Sequence, residues 1–294
     1  MNGKFEIVGI RPLPTQTPSK ARRWYRGKPL LSLGILLLIF LGCIVCECFI
    51  PRDPTYMDLA NHNVAPNRTF LFGTDAMGRD IFSMIWYGGR YSLFIGVVAT
   101  VISTLIGIVF GAASGCAPTW LDALLMRLLE ILISIPDFLI IVLLQAVLGK
   151  DDGLRMAFTI GIVGWTGIAK VVRAQVRQIR DSEFILAAKC MGGGFFHILW
   201  KHLLPGVVSS IMFMVVMNIR GAISIESTLS FMGIGLPLEV VTWGSMLSLS
   251  ENALLSGAWW MILIPGAFLV TTFVCMTDLG NYLRRNMNRK ESNL

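Results

Sequence analysis

The sequence predicts an all-α integral membrane protein, and three observations carry that prediction. Of its 294 residues, 54% are apolar and only 15% are charged, whereas a soluble domain carries about 25% charged residues. Apolar runs near the ~20 residues that cross a bilayer recur along the chain. These runs are longer than the ~10-residue alternating segments of a membrane β-barrel. The net charge of +7 follows from the concentration of Lys and Arg in cytoplasmic loops, so it gives no reason to invoke nucleic acid.

Residues 1–29 form a polar tail with Pro12, Pro14 and Pro18 and a basic end, Lys20, Arg22, Arg23, Arg26 and Lys28. This composition predicts a cytoplasmic tail, partly disordered. Residues 30–50, LLSLGILLLIFLGCIVCECFI, are the first span. A cleaved signal peptide would have a shorter apolar region and a small-residue cleavage site, so this run reads as an uncleaved anchor. Its C-x-x-C-x-C cluster (Cys43, Cys46, Cys48) has no histidine or further cysteine nearby in sequence. The three thiols therefore read as small apolar residues rather than a metal site. Residues 51–90 are a polar external segment. Five further spans follow in 91–283, at about 91–115, 121–148 (interrupted by Pro136), 156–172, 206–226 and 257–279. Residues 284–294 are a basic tail.

Charge sets the orientation. The N-terminal tail holds seven Lys and Arg, residues 170–205 hold six, and the C-terminal tail holds four. With six spans these three segments share one face, and their 17 of 25 positive charges make it the cytoplasmic face. The expected setting is a bacterial plasma membrane crossed several times, with both termini cytoplasmic.

The cytoplasmic stretch 180–205 is the unusual one. In DSEFILAAKCM (181–191), Asp181 or Ser182 suits a helix N-cap, and Phe184, Ala188 and Met191 fall on one helical face. Ala188 and Gly192, four apart, leave room for another backbone. Gly192, Gly193 and Gly194 end the helix, and a second short helix, FFHILWKHLL, stops at Pro205. Two short helices joined at a glycine turn make either a rigid knob that docks on a partner or an amphipathic hairpin lying on lipid.

The stretch resembles the EAA loop of ABC importer permeases, through Ala187, Ala188, Gly192, His202, Leu203, Leu204 and Pro205. Leu186 stands where that motif has its Glu, and His202 where it has Ile. Both departures resemble the dipeptide, oligopeptide and nickel branch. LFGTDAMGRDIFSMIWYGGRYSL (71–93), DALLMRLLEILISIPDFLI (122–140), VGWTGIAKVVRAQV and ESTLSFMGIGLPLEVVTWGSML (226–247) are similar to segments of the same branch, so the likeness runs from about 70 to 285.

The resemblance implies a type I ABC importer permease fold, with the 180–205 loop coupling 91–283 to a cytoplasmic ATPase through Phe184, Ala187, Ala188, Met191, Gly192, His202 and Pro205. It implies two ATPase subunits that bind ATP and Mg, a second related permease chain, an external solute-binding protein, and di- or oligopeptides as cargo. Nickel or a metal–chelator complex is the alternative cargo. This chain has no G-x-x-x-x-G-K-[ST] phosphate loop, so no cofactor and no catalysis are expected of it. A membrane metalloprotease is excluded by the spacing of His197 and His202, five apart with no carboxylate between. A secondary transporter or channel would commonly show inverted repeats and would need no docking knob.

Glu130, Asp137, Arg220 and Glu226 lie in or beside spans, where a charge costs at least ~2.5 kcal/mol unless it faces a cavity or a partner. Arg220 sits roughly 21 Å into the fifth span, where the branch has a small residue. It lines the translocation path and meets an anionic group, or it pairs with Asp137, Glu130 or a partner chain. Glu226, about 9 Å further on, is a packing or gate residue at the edge of that path. Arg79 and Asp80 in GRD are expected to fix the external segment against the second span.

Overall fold

The computed structural model describes residues 29–50, 53–149, 152–180, 182–183, 185, 190–192, 194, 204–237, 239–250, 253 and 257–291. Nine α-helices follow one another there: α1 (Leu30–Phe49), α2 (Ile81–Cys116), α3 (Thr119–Ile133), α4 (Asp137–Leu148), α5 (Gly153–Val163), α6 (Thr166–Arg180), α7 (Leu204–Phe231), α8 (Trp243–Leu249) and α9 (Trp260–Glu291). No strand occurs among the described residues. Stretches of α1, α2, α7 and α9 are long and apolar enough to cross a membrane, and α3–α4 and α5–α6 are bent pairs, at 77° and 45°, that complete six spans when each counts as one.

Both breaks have a local cause. Pro136 lacks an N–H and its ring obstructs the preceding turn, so α3 ends at Ile133 and α4 starts at Asp137. Gly164, a weak helix former, ends α5. Two expected boundaries move. Helix α2 starts at Ile81, ten residues before the expected start of the second span, because Asp80 accepts hydrogen bonds from Ser83 N (3.2 Å) and Ser83 Oγ (2.6 Å) and caps it. Helix α8, unexpected in the polar 227–256 stretch, is nucleated by a capping box between Thr242 and Ser245.

Helix α2 is the axis of the bundle. Gly107, Gly111 and Gly115 lie along one side of it. A Cβ on Gly111 would come within 2.6 Å of Ala169 O and 2.7 Å of Val172 Cβ, and one on Gly107 within 2.8 Å of Ile168 Cβ. The bare backbone lets α6 lie directly against α2 and bury Ile168, Val172 and Val176, the usual way membrane helices gain packing where no hydrophobic drive exists between them.

Helix α1 covers the other side. It buries Leu36, Ile39, Cys43 and Cys46 and leaves Leu37, Leu38, Leu41 and Ile44 exposed. Cys43 Sγ sits so close to Gly89 that a Cβ there would be 2.6 Å away, so Cys43 packs as an apolar side chain. Arg90 of α2 donates to Ile44 O (2.8 Å) and pairs with Glu47, tying down the end of α1.

The external segment is a tight structure. Asp75 Oδ1 accepts from the N–H groups of Met77 (2.9 Å) and Arg79 (2.8 Å), while the Arg79 guanidinium pairs with Asp75 Oδ2 at 2.7 Å, both side chains buried. Gly78 has φ +75, and a Cβ would fall 1.8 Å from Asp58 O. Trp260 Nε1 donates to Thr74 O (3.1 Å) and hooks the segment to the start of α9. At its rim the Asp53 carboxyl is held below its ordinary pKa by hydrogen bonds from the Thr55 hydroxyl and N–H.

Candidate functional site

The two broken spans break at the same place. Between them lies a partly open cavity of about 260 Å³. Ala99, Thr100 and Ser103 of α2 line it, with Asp137 and Ile141 of α4, Ile160, Val163 and Gly164 at the end of α5, Thr166 and Gly167 of α6, and Asn218, Gly221, Ala222 and Ile225 of α7. Irregular backbone at membrane depth is tolerated where it lines a cavity. Asn218 Nδ2 points to Gly164 O and to Ser103 Oγ, each at 3.4 Å, and the Ser103 hydroxyl donates to Thr100 O (3.1 Å). The Thr100 hydroxyl is buried and has no hydrogen-bond partner among the described residues. Asp137 forms no hydrogen bond or ion pair among the described residues.

Arg220 does not line this cavity. Asn218, Gly221, Ala222 and Ile225 share the cavity face of α7, and Arg220 lies roughly 150° around the helix from them at 100° per residue. It is exposed, on a ridge with Ser224 and Thr228 at four-residue intervals. The ion pairs considered for it within this chain are not formed: Glu130 bonds Arg127 at 3.0 Å, and Asp137 stands in the cavity wall.

Glu226 is fully buried. Its carboxyl group bonds Ser92 (3.0 Å), Ser230 (2.9 Å) and Ser227 (3.3 Å), and Ser92 Oγ also accepts from Trp243 N (3.3 Å). It therefore knits α2, α7 and α8 together and meets no open space.

At the other end of α2 a second carboxylate does similar work. Asp122, 5% exposed, accepts from Ser114 Oγ (2.6 Å), Arg173 Nη2 (2.6 Å) and Arg177 Nη1 (2.9 Å). Arg180 Nη1 donates to Gly115 O (3.1 Å). Three arginines on successive turns of α6 thus grip the α2–α3 corner just before the 180–205 loop. Sequence reasoning missed this clamp, whose one signal was the spacing of Arg173, Arg177 and Arg180 on a single helix face.

Of the residues assigned to that loop, Phe184, Ala187, Ala188 and His202 lie outside the described residues. Met191 is 82% exposed. Gly192 has φ +85, the left-handed conformation that ends helices. Pro205 is the second residue of α7. Ile185, not singled out in the sequence, is fully buried with Val172, Val176, Val207 and Ile211, so the loop begins anchored between α6 and α7.

Comparison of the sequence with known proteins identifies the family. Residues 103–289 match the family described as the binding-protein-dependent transport system inner membrane component. The chain belongs to that family. It is a multi-pass membrane permease subunit of the ABC transporter type. This permease is 34% identical over 281 residues to the dipeptide transport system permease protein DppC of Bacillus subtilis, covering 95% of this chain and 88% of that one. It is 35% identical to the oligopeptide transport system permease protein OppC of the same organism, over 90% and 87% of the two chains. OppC of Haemophilus influenzae is 34% identical, over 92% and 87%.

Proposed function

We propose that this permease is the translocating subunit of an ATP-driven importer of di- or oligopeptides in a bacterial plasma membrane. Its similarity, over nearly its whole length, to permeases named for dipeptide and oligopeptide transport carries the reading, and those names favour peptides over nickel or metal chelates. The chain pairs with a second, related permease. Two cytoplasmic ATPases bind ATP and Mg and hydrolyse the nucleotide, and an external binding protein delivers cargo. The external segment, which walls an open cleft of about 910 Å³ lined by Asp53, Tyr56, Asn67 and Arg68, faces that protein. Both termini are cytoplasmic, and lipid covers the outer face of α1.

The 180–205 loop seats in the ATPase through Phe184, Ala187, Ala188, Met191, Gly192, His202 and Pro205. An exposed methionine beside a left-handed glycine suits a knob entering a groove, since Met adapts its shape to apolar pockets. Arg173, Arg177 and Arg180 pass movement of the loop to α2 and α3. Arg220, with Ser224 and Thr228, lines the path shared with the second permease and draws the peptide carboxylate.

The test is ATP-dependent uptake of a labelled dipeptide into vesicles holding the full complex. Met191→Asp is expected to release the ATPase subunits on purification and abolish uptake. Retention of both ATPases and of uptake would overturn the loop's role. Arg220→Ala with unaltered uptake, in a complex that still hydrolyses ATP, would remove Arg220 from the path.

A further inference from the structure

We infer that the cavity between the two broken spans receives the protonated amino end of a peptide in transit, with Asp137 as its countercharge. The inference rests on the peptide reading above and assigns a site within it. Three observations point to a ligand. First, Asp137, an ionisable residue exposed at the head of α4, borders the cavity and has no hydrogen bond or ion pair among the described residues, and such a residue within a span is retained where it faces a cavity or a partner. Second, the Thr100 hydroxyl, 3% exposed, lacks among the described residues the hydrogen bond that buried polar atoms normally have. Third, Asn218 turns its NH₂ toward Gly164 O and Ser103 Oγ, which leaves its carbonyl oxygen as an acceptor.

The donor set selects the ligand class. A primary ammonium presents three N–H donors and no acceptor, which one carboxylate and neutral oxygens satisfy. The wall has no imidazole or thiolate, the ligands that suit nickel, and a single carboxylate leaves a divalent ion under-compensated. The volume of about 260 Å³ lies below the ~300–1,000 Å³ of pockets that enclose a whole small ligand. The cavity therefore takes the end of a peptide and leaves the rest in the open path. Arg220, at a similar level of α7 but on another face, is left for the opposite terminus.

The test uses the assembled complex with Gly221→Cys in the cavity wall, where nothing lies within 4 Å of an added Cβ, and Thr166→Cys as a second probe position. Modification by a trimethylammonium methanethiosulfonate and by its sulfonate counterpart is followed by mass spectrometry at the introduced cysteine. The cation is expected to react about tenfold faster, the lower end of what a focused charge achieves. Asp137→Asn is expected to bring the two rates together, and excess trialanine to slow the cation. Equal rates in the unsubstituted background, a ratio that survives Asp137→Asn, or no reaction at either position overturns the assignment. So does absence of protection by trialanine in a complex that imports it. If ATP drives no trialanine uptake while the charge preference holds, the peptide reading fails and the cation-selective cavity stands.

Discussion

Along the α2–α6 seam, Gly107, Gly111 and Gly115 face Ile168, Val172 and Val176, all buried, and Asp122 binds two arginines at its end. Along α3 and α4, only Asp122, Leu129, Ile141 and Gln145 are buried, while Leu124, Leu128, Ile131, Leu139, Leu143 and Val147 are exposed. Both regions are helical, apolar and adjacent to the cavity. They differ in where their partners are. The seam is complete within this chain, with backbone against side chain at contact distance. The α3–α4 arm leaves its apolar side chains exposed, a surface on which the second permease proposed above can pack. Close packing in this permease belongs to the helices that lead into the 180–205 loop, and exposed apolar surface to those of the arm.

Substitutions on the two sides separate them. The largest effect is expected from Gly111→Leu, because even a Cβ there would lie 2.6 Å from Ala169 O. Forcing α2 and α6 apart costs about 3 kcal/mol or more, a large share of a marginal stability, and folded protein recovered by size-exclusion chromatography should nearly vanish. Asp122→Ala is next. It leaves Arg173 and Arg177 without their acceptor. Loss of one partner from a fully buried pair costs about 3–5 kcal/mol, and the partial exposure of both arginines lowers the expectation to about 2 kcal/mol, read as a fall in melting temperature. Leu128→Ala and Leu143→Ala on the arm should shift the stability of the separate chain by no more than about 0.5 kcal/mol, yet weaken co-purification of the second permease. A melting loss on the arm as large as that at Asp122 would erase the contrast. Arg127→Ala should do least, since its pair with Glu130 is exposed and such pairs contribute about 0.5 kcal/mol or less.

The apolar runs marked the six spans because a bilayer demands length and hydropathy, both one-dimensional properties. Pro136 marked a break for an equally local reason. Its direction, and its meeting with the Gly164 break at one cavity, depend on how four helices pack, and no periodicity records that. The start of α2 was hidden because a single capping bond at Asp80 decides it. Glu226 was visible as a charge, with Ser227 and Ser230 close by on its own helix, but its third serine partner, Ser92, lies 134 residues away on α2. For Arg220 the helical phase alone, counted from the cavity face, would have separated it from Asn218 and Gly221 had the cavity face been known.

The serine-bound Glu226 sets a schedule for biogenesis. A bare carboxylate is costly in hydrocarbon, so α7 emerging alone from the insertion machinery would be a poor membrane segment. By the time it is synthesised, Ser92 on α2 has long been made, 134 residues earlier in the chain. The donor helix, α2, precedes its acidic partner in the chain, and α8, which follows both, donates Trp243 N to Ser92 Oγ. A chain whose second span stalls is left with that acid short of its Ser92 partner.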